Sequence, residues 1–131
     1  TLFKARIYDE VDVALVVMEA MRCSKDFGFS KPEQYKISTA VSELARNSVL
    51  HAGSGEVTLN GLAENGKNGI EIIVEDEGPG IQDIDKALEN NFSTAGTLGL
   101  GLPGAKRLMD QLNIEIKMPR GSKIIARKWL K

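Results

Sequence analysis

The sequence predicts an α+β fold, a two-layer sandwich in which helices cover one face of a mixed, mostly antiparallel sheet. Two observations carry this. Apolar residues recur at helical spacing over two long segments, while shorter segments alternate apolar and polar residues. The alternating segments also neighbour one another as hairpins, which argues against a βαβ array.

FKARIY reads as a first strand. VDVALVVMEAMRCSKDFGF reads as a helix that stops at Gly28. SKPEQYKISTAVSELARNSVLHAG reads as a second helix, with Ser30 as cap, Pro32 in its first turn and Gly53 as its stop. It places Ile37, Val41, Leu44 and Ser48 on one stripe. EVTLNGL and GIEIIVE pair as a hairpin across AENGKNG. DEGPGIQD is a turn, DIDKALEN a short helix, and NFSTAGTLGLG a loop too polar and glycine-rich for regular structure. A last helix is expected from about Pro103 to Leu112, and IEIKM and SKIIARKWL close the chain as strands around PRGS.

With 131 residues and neither repeats nor linkers, the chain reads as a single domain over 1–131. Seventeen basic residues nearly balance eighteen acidic ones, which gives no electrostatic bias toward nucleic acid or a membrane surface. No apolar stretch is long enough for a membrane span, and no charged-then-apolar leader opens the chain. The single cysteine, Cys23, permits no internal disulfide, reads as a packed core thiol and fits a reducing cytoplasm. Because the first residue is Thr1 and not Met, a few native residues are expected to precede it.

GTLGLGLPG, residues 96–104, opens the last helix, and Gly99, Gly101 and Gly104 match a dinucleotide fingerprint. That fingerprint needs a strand directly before its first glycine, and ENNFSTAGT is none. A phosphate loop of the GxxxxGK[ST] type is absent too. What survives is general: unhindered amides and the positive end of a helix can hold an anion.

Two other polar constellations stand out. Glu43 and Asn47 lie one turn apart at the edge of the second helix's apolar stripe. An asparagine oxygen suits Mg²⁺, which takes phosphate oxygens and water for its other positions, and the carboxylate could accept a proton or hold a nucleophile. In VEDEGPG, Asp76 continues the parity of Ile70, Ile72 and Val74, so its carboxylate points where the apolar residues point and needs donors. An adenine exocyclic amine is one such donor, and Gly78 and Gly80 let backbone approach a flat ring. Taken singly, these features also fit a solvated helix face, a plain turn and a flexible loop.

Together and in order, SELARN, EDEGPG and GTLGLGL resemble the N, G1 and G2 boxes of the GHKL ATPases, and PRGS resembles their third glycine box. ISTAVSELARN, EDEGPGIQDI, FSTAGTLGLGLPGAKRLMD and ARKWLK are similar to the RsbT-type switch kinases over almost the whole chain. The resemblance implies the Bergerat ATP-binding fold, ATP and Mg²⁺ as cofactors, and phosphorylation of serine or threonine on STAS-domain partners in a stressosome-type module. On release such a kinase engages a downstream regulator, commonly a PP2C-type phosphatase. A partner-sequestering, anti-sigma-like module with little phosphoryl transfer is the alternative.

By the same resemblance Asn47 is the Mg²⁺ ligand and Glu43 the general base or hydroxyl-orienting group. Asp76 takes the adenine amine, Gly78 and Gly80 shape the base pocket, and Ser122 contacts the base region through water. Gly96, Thr97, Leu98, Gly99, Leu100, Gly101 and Leu102 line the phosphates beneath a lid through Phe92, Ser93 and Thr94. Thr97 departs from the family pattern, since it stands where the first glycine of the second box usually lies. Arg46, His51, Lys106 and Arg107 are near enough in sequence to approach the site, and equally fit surface or helix-end roles.

Overall fold

The computed structural model describes residues 1–78, 102–117 and 119–131. Among them the order is β1 (Phe3–Ile7), α1 (Glu10–Phe27), α2 (Lys31–Ala52), β2 (Gly55–Glu64), β3 (Lys67–Asp76), α3 (Leu102–Leu108), β4 (Gln111–Ile116) and β5 (Ser122–Trp129). The expected short helix at 83–90 and the loop that follows it lie outside the described residues.

Both long helices begin and end where their capping residues dictate. The Asp9 side chain accepts from Asp12 N and the Ser30 side chain from Glu33 N, while Gly28 and Gly53 close the two C-termini in the left-handed conformation. The β2–β3 hairpin is tighter than AENGKNG suggested. Its strands run to Glu64 and from Lys67, and the turn is Asn65–Gly66, with φ of 52° and 77°. Two successive positive φ values give the turn whose twist matches that of the flanking strands.

The sheet order is β1-β2-β3-β5-β4, and every described pairing is antiparallel, so the expected antiparallel majority extends to the whole described sheet. Val57 and Leu59 of β2, Ile70, Ile72 and Val74 of β3, and Ile124 and Ala126 of β5 are buried toward the helices. They join Ile37, Val41 and Leu44 of α2 and Val13 and Val16 of α1 in one core. Cys23 is buried there, and burial pushes its thiol pKa up, as expected of a packed core thiol.

The last helix is shorter than its periodicity predicts. It ends at Leu108, and Gln111 and Leu112 belong to β4. The reason is tertiary: Asp110 N donates to Arg127 O at 2.9 Å, and Trp129 N donates to the Asp110 carboxylate at 2.9 Å. Pairing with β5 thus wins over continued helix.

Lys128 follows core parity along β5 and is only 4% exposed. Its Nζ donates to Leu108 O at 2.7 Å and lies 3.0 Å from Glu33 Oε2, which ties the end of α3 to the start of α2. Lys128, and secondarily Lys36, hold the Glu33 carboxyl below the usual carboxylate range against the opposing effect of burial. Lys128→Met, which keeps the volume, is expected to cost about 2–3 kcal/mol at pH 7 in urea unfolding. Because Glu33 is depressed in the folded state, its share of stability is present above its unfolded pKa and disappears as pH falls through the folded one. The gap between wild type and variant should therefore narrow below about pH 4; a gap that does not change with pH would remove Glu33 from the account.

Candidate functional site

The site forms where the C-terminal half of α2 meets the end of β3. Asn47 is buried at 7% exposure, Glu43 is half-buried one turn earlier, and Leu44 and Ala45 beside them are fixed in the core. Arg46 is exposed and pairs with Glu10 at 3.4 Å, so it braces α1 against α2 on the outer side of this strip.

Close backbone packing joins the helix to the strand. A Cβ at Gly55 would overlap Ser48 Oγ and lie 3.0 Å from Glu75 O, so β2 can start against α2 only with no side chain there. A Cβ at Gly78 would lie 2.7 Å from Ala52 Cβ and 3.3 Å from His51 O. The turn after β3 therefore lies directly on the last turn of α2, beside the strip that carries Asn47. His51, in that last turn, is partly buried, and its Nε2 is buried without a hydrogen-bond partner.

Asp76 occupies the position that strand parity predicts. Its register partner is Ser122, which continues the line of Ile124 opposite Val74. Asp76 Oδ2 accepts from Ser122 Oγ at 3.0 Å, and Oδ1 accepts from Gly78 N at 3.0 Å. Both carboxylate oxygens are thus held by neighbours, one across the sheet and one along the turn. Each retains a further lone pair for a donor. Ser122 is 3% exposed and a direct hydrogen-bond partner of the aspartate, which places it beside the position expected to contact the base region.

What surrounds this turn comes from a segment some 40 residues further along the chain. Gly121 has φ of 107°, and a Cβ there would overlap Asp76 O, so the β4–β5 turn presses its backbone against the end of β3. Lys117 Nζ donates to Asp76 O at 3.3 Å and to Glu77 Oε1 at 2.6 Å, and lies 3.6 Å from Glu75 Oε2. Arg120 Nε donates to Glu77 O at 2.7 Å and to Gly78 O at 3.4 Å. Lys117 holds the Glu77 carboxyl below its ordinary range, and Glu77 in turn raises the Lys117 ammonium. PRGS reads as a turn that resembles a third glycine box; the further signal in the sequence is the cations around Gly121 set against the acidic EDE segment.

The structure joins Asp76, Gly78 and Ser122 directly, and sets Gly78 against Ala52 on the last turn of α2, the helix that carries Glu43 and Asn47. Leu102, at 0% exposure, begins α3, which packs on α2. Lys106 and Arg107 are exposed on α3. Gly80, Gly96, Thr97, Leu98, Gly99, Leu100 and Gly101, and the lid residues Phe92, Ser93 and Thr94, lie outside the described residues.

Chemically, this region offers an anchored carboxylate at the end of an apolar strand face, close backbone approach at Gly78 and Gly121, and, on α2, a neutral amide one turn from a carboxylate. That amide fits a magnesium ion that keeps phosphate and water as its other ligands. Among the described residues no group of three His, Cys, Asp or Glu side chains could hold a metal by itself. No helix among them is long and apolar enough to cross a membrane.

Residues 8–128 match the model of the histidine kinase-like ATPase domain. The chain is 46% identical over 126 residues to the serine/threonine-protein kinase RsbT of Bacillus subtilis, covering 96% of this chain and 95% of that protein. It is 35% identical over 100 residues to an anti-sigma F factor of Clostridium novyi, covering 72% of this chain and 70% of that one. Among solved structures, the mycobacterial sensor histidine kinase MprB superposes with a TM-score of 0.59 at 18% identity, covering 97% of each chain. A chain of the SiaB–SiaC complex from Pseudomonas aeruginosa superposes with a TM-score of 0.63 at 12% identity, covering 98% of this chain and 90% of that one. At such identities these two speak for the fold alone.

Proposed function

We propose that this chain, which belongs to the histidine kinase-like ATPase family and groups there with the serine/threonine-protein kinase RsbT, transfers the γ-phosphoryl of ATP to serine or threonine of a partner protein. The observation that carries the reading is the Gly78–Ala52 contact, which seats the turn holding the Asp76–Ser122 pair on the last turn of α2, the helix that carries Asn47 and Glu43. Asp76 would accept the adenine amine with the oxygen lone pairs left over from Ser122 and Gly78. Asn47 would hold Mg²⁺, which supplies charge neutralisation to the phosphates. Glu43 would orient the attacking hydroxyl, a role that needs position more than a displaced pKa. Phosphoryl transfer asks a protein mainly for alignment and charge stabilisation, and these residues supply both. The glycine run 96–101 would deliver amides to the phosphates.

The partner in this reading is a STAS-domain protein, and release from it frees the kinase to engage a downstream regulator such as a PP2C-type phosphatase. The setting is the cytoplasm, in a stressosome-type module. Identity to anti-sigma F factors favours a second reading, a module that binds nucleotide and sequesters a regulator with little transfer. Incubation with labelled ATP, Mg²⁺ and candidate STAS proteins separates the two. The kinase reading expects label on a partner serine or threonine; tight partner binding at saturating nucleotide with no label would replace it by sequestration.

A further inference from the structure

Asp76 lies at the strand end, where β3 gives way to a turn, and a carboxylate there reads a base only if that turn is held still. Three successive backbone carbonyls of the turn, at residues 76, 77 and 78, accept hydrogen bonds from two cationic side chains of the β4–β5 turn. Lys117 reaches Asp76 O at 3.3 Å and is anchored by Glu77 at 2.6 Å; Arg120 spans Glu77 O at 2.7 Å and Gly78 O at 3.4 Å. Lys117 N also donates to Gly121 O at 3.0 Å, so the segment carrying both cations closes on itself. Gly121 permits the approach, because any side chain there would meet Asp76 O.

The result is a clamp across the two turns. It does not touch either carboxylate oxygen of Asp76, which are occupied by Ser122 and Gly78. It acts on the backbone that aims them. Lys117 is about one-quarter exposed and Arg120 is exposed, so neither is needed to fill the core.

We infer that Lys117 and Arg120 are positioning residues for base recognition, holding the Asp76–Gly78 turn so that the carboxylate discriminates a purine bearing an exocyclic amine from one without it. This rests on the reading of Asp76 as the adenine acceptor. Charge-assisted hydrogen bonds to backbone carbonyls are individually modest at such exposure, so the effect belongs to the pair.

The test compares calorimetric affinities for ATP and for purine riboside triphosphate, which lacks the amine, in wild type, Lys117→Met, Arg120→Gln, the double variant and Lys117→Arg. The double variant is expected to lose about tenfold in ATP affinity while its affinity for the analogue barely moves, a change of the size that charge-assisted hydrogen bonds carry. Lys117→Arg should restore most of the discrimination that Lys117→Met loses. Exchange of the Gly78 amide, held by Asp76 Oδ1, should quicken in the single variants, which report even if the double variant folds poorly. Equal losses for both nucleotides, or an unchanged ratio with unchanged Gly78 exchange, would overturn the clamp's role while leaving Asp76 in place. A wild type that fails to prefer ATP over the analogue would instead sink the base reading, and the clamp with it.

Discussion

Asn47→Ala is expected to abolish Mg²⁺-dependent phosphoryl transfer, lowering the rate by at least about a hundredfold, the loss typical of a group that stabilises charge in the transition state. Asn47 is 7% exposed on the buried edge of α2, with Ser48 and Leu44 packed in the core around it. Alanine is a good helix former, so the helix itself should persist. The variant should therefore keep its helical circular dichroism while losing the difference between ATP affinities measured with and without Mg²⁺. Calorimetry in the two conditions, beside a single-turnover transfer assay, makes the check. A folded Asn47→Ala protein with full transfer would remove Asn47 from the metal and return the α2 strip to a structural role.

Asp76→Asn is expected to weaken ATP binding by about thirty- to a hundredfold, which corresponds to about 2–3 kcal/mol for a charged acceptor lost to a buried donor. The substitution nearly preserves shape. An amide, however, supplies one acceptor oxygen where the carboxylate has two, and Ser122 Oγ and Gly78 N already claim one each at 3.0 Å. Turned toward Ser122, whose hydroxyl can also accept, the NH₂ leaves one neutral oxygen to serve both Gly78 N and the incoming amine; turned the other way, it faces Gly78 N. Unchanged ATP affinity by calorimetry would take Asp76 out of the base pocket, while equal weakening of GTP would show a collapsed pocket instead of lost base reading.

Much of this architecture is legible in residue order because its causes are local. Ser30, Gly28 and Gly53 mark helix ends through capping geometry that needs no tertiary partner. The direction of Asp76 follows from counting by twos along Ile70, Ile72 and Val74, and the pairing with Ser122 extends that count to the neighbouring strand. What could not be read depends on segments far apart in sequence. The end of α3 is set by Arg127 O, which accepts from Asp110 N, and by Trp129 N, which donates to the Asp110 carboxylate; together they leave MDQL unable to stay helical. Lys128 looks like surface charge in ARKWLK, yet parity with Ile124 and Ala126 carries it inward, where Leu108 O and Glu33 receive it. Parity could have found it; the partners could not have been guessed. Lys117 and Arg120 likewise gain meaning only when β5 lies beside β3.

That order of assembly bears on how the protein is made. β3 is central in the sheet, flanked by β2, its near neighbour in sequence, and by β5, which is synthesised well after it. The β2–β3 hairpin can close early through Asn65–Gly66, but Asp76 waits across 46 residues for Ser122. Closing that distance is slow compared with closing a hairpin turn. A nascent chain that ends before β5 lacks Ser122, the cross-strand partner of Asp76, and with it, in the proposed reading, any stabilisation a nucleotide would give by binding the folded state. If Asp76 reads the base as proposed, nucleotide rewards only chains in which β5 has docked beside β3, and copies still lacking β5 are not held folded by the ligand.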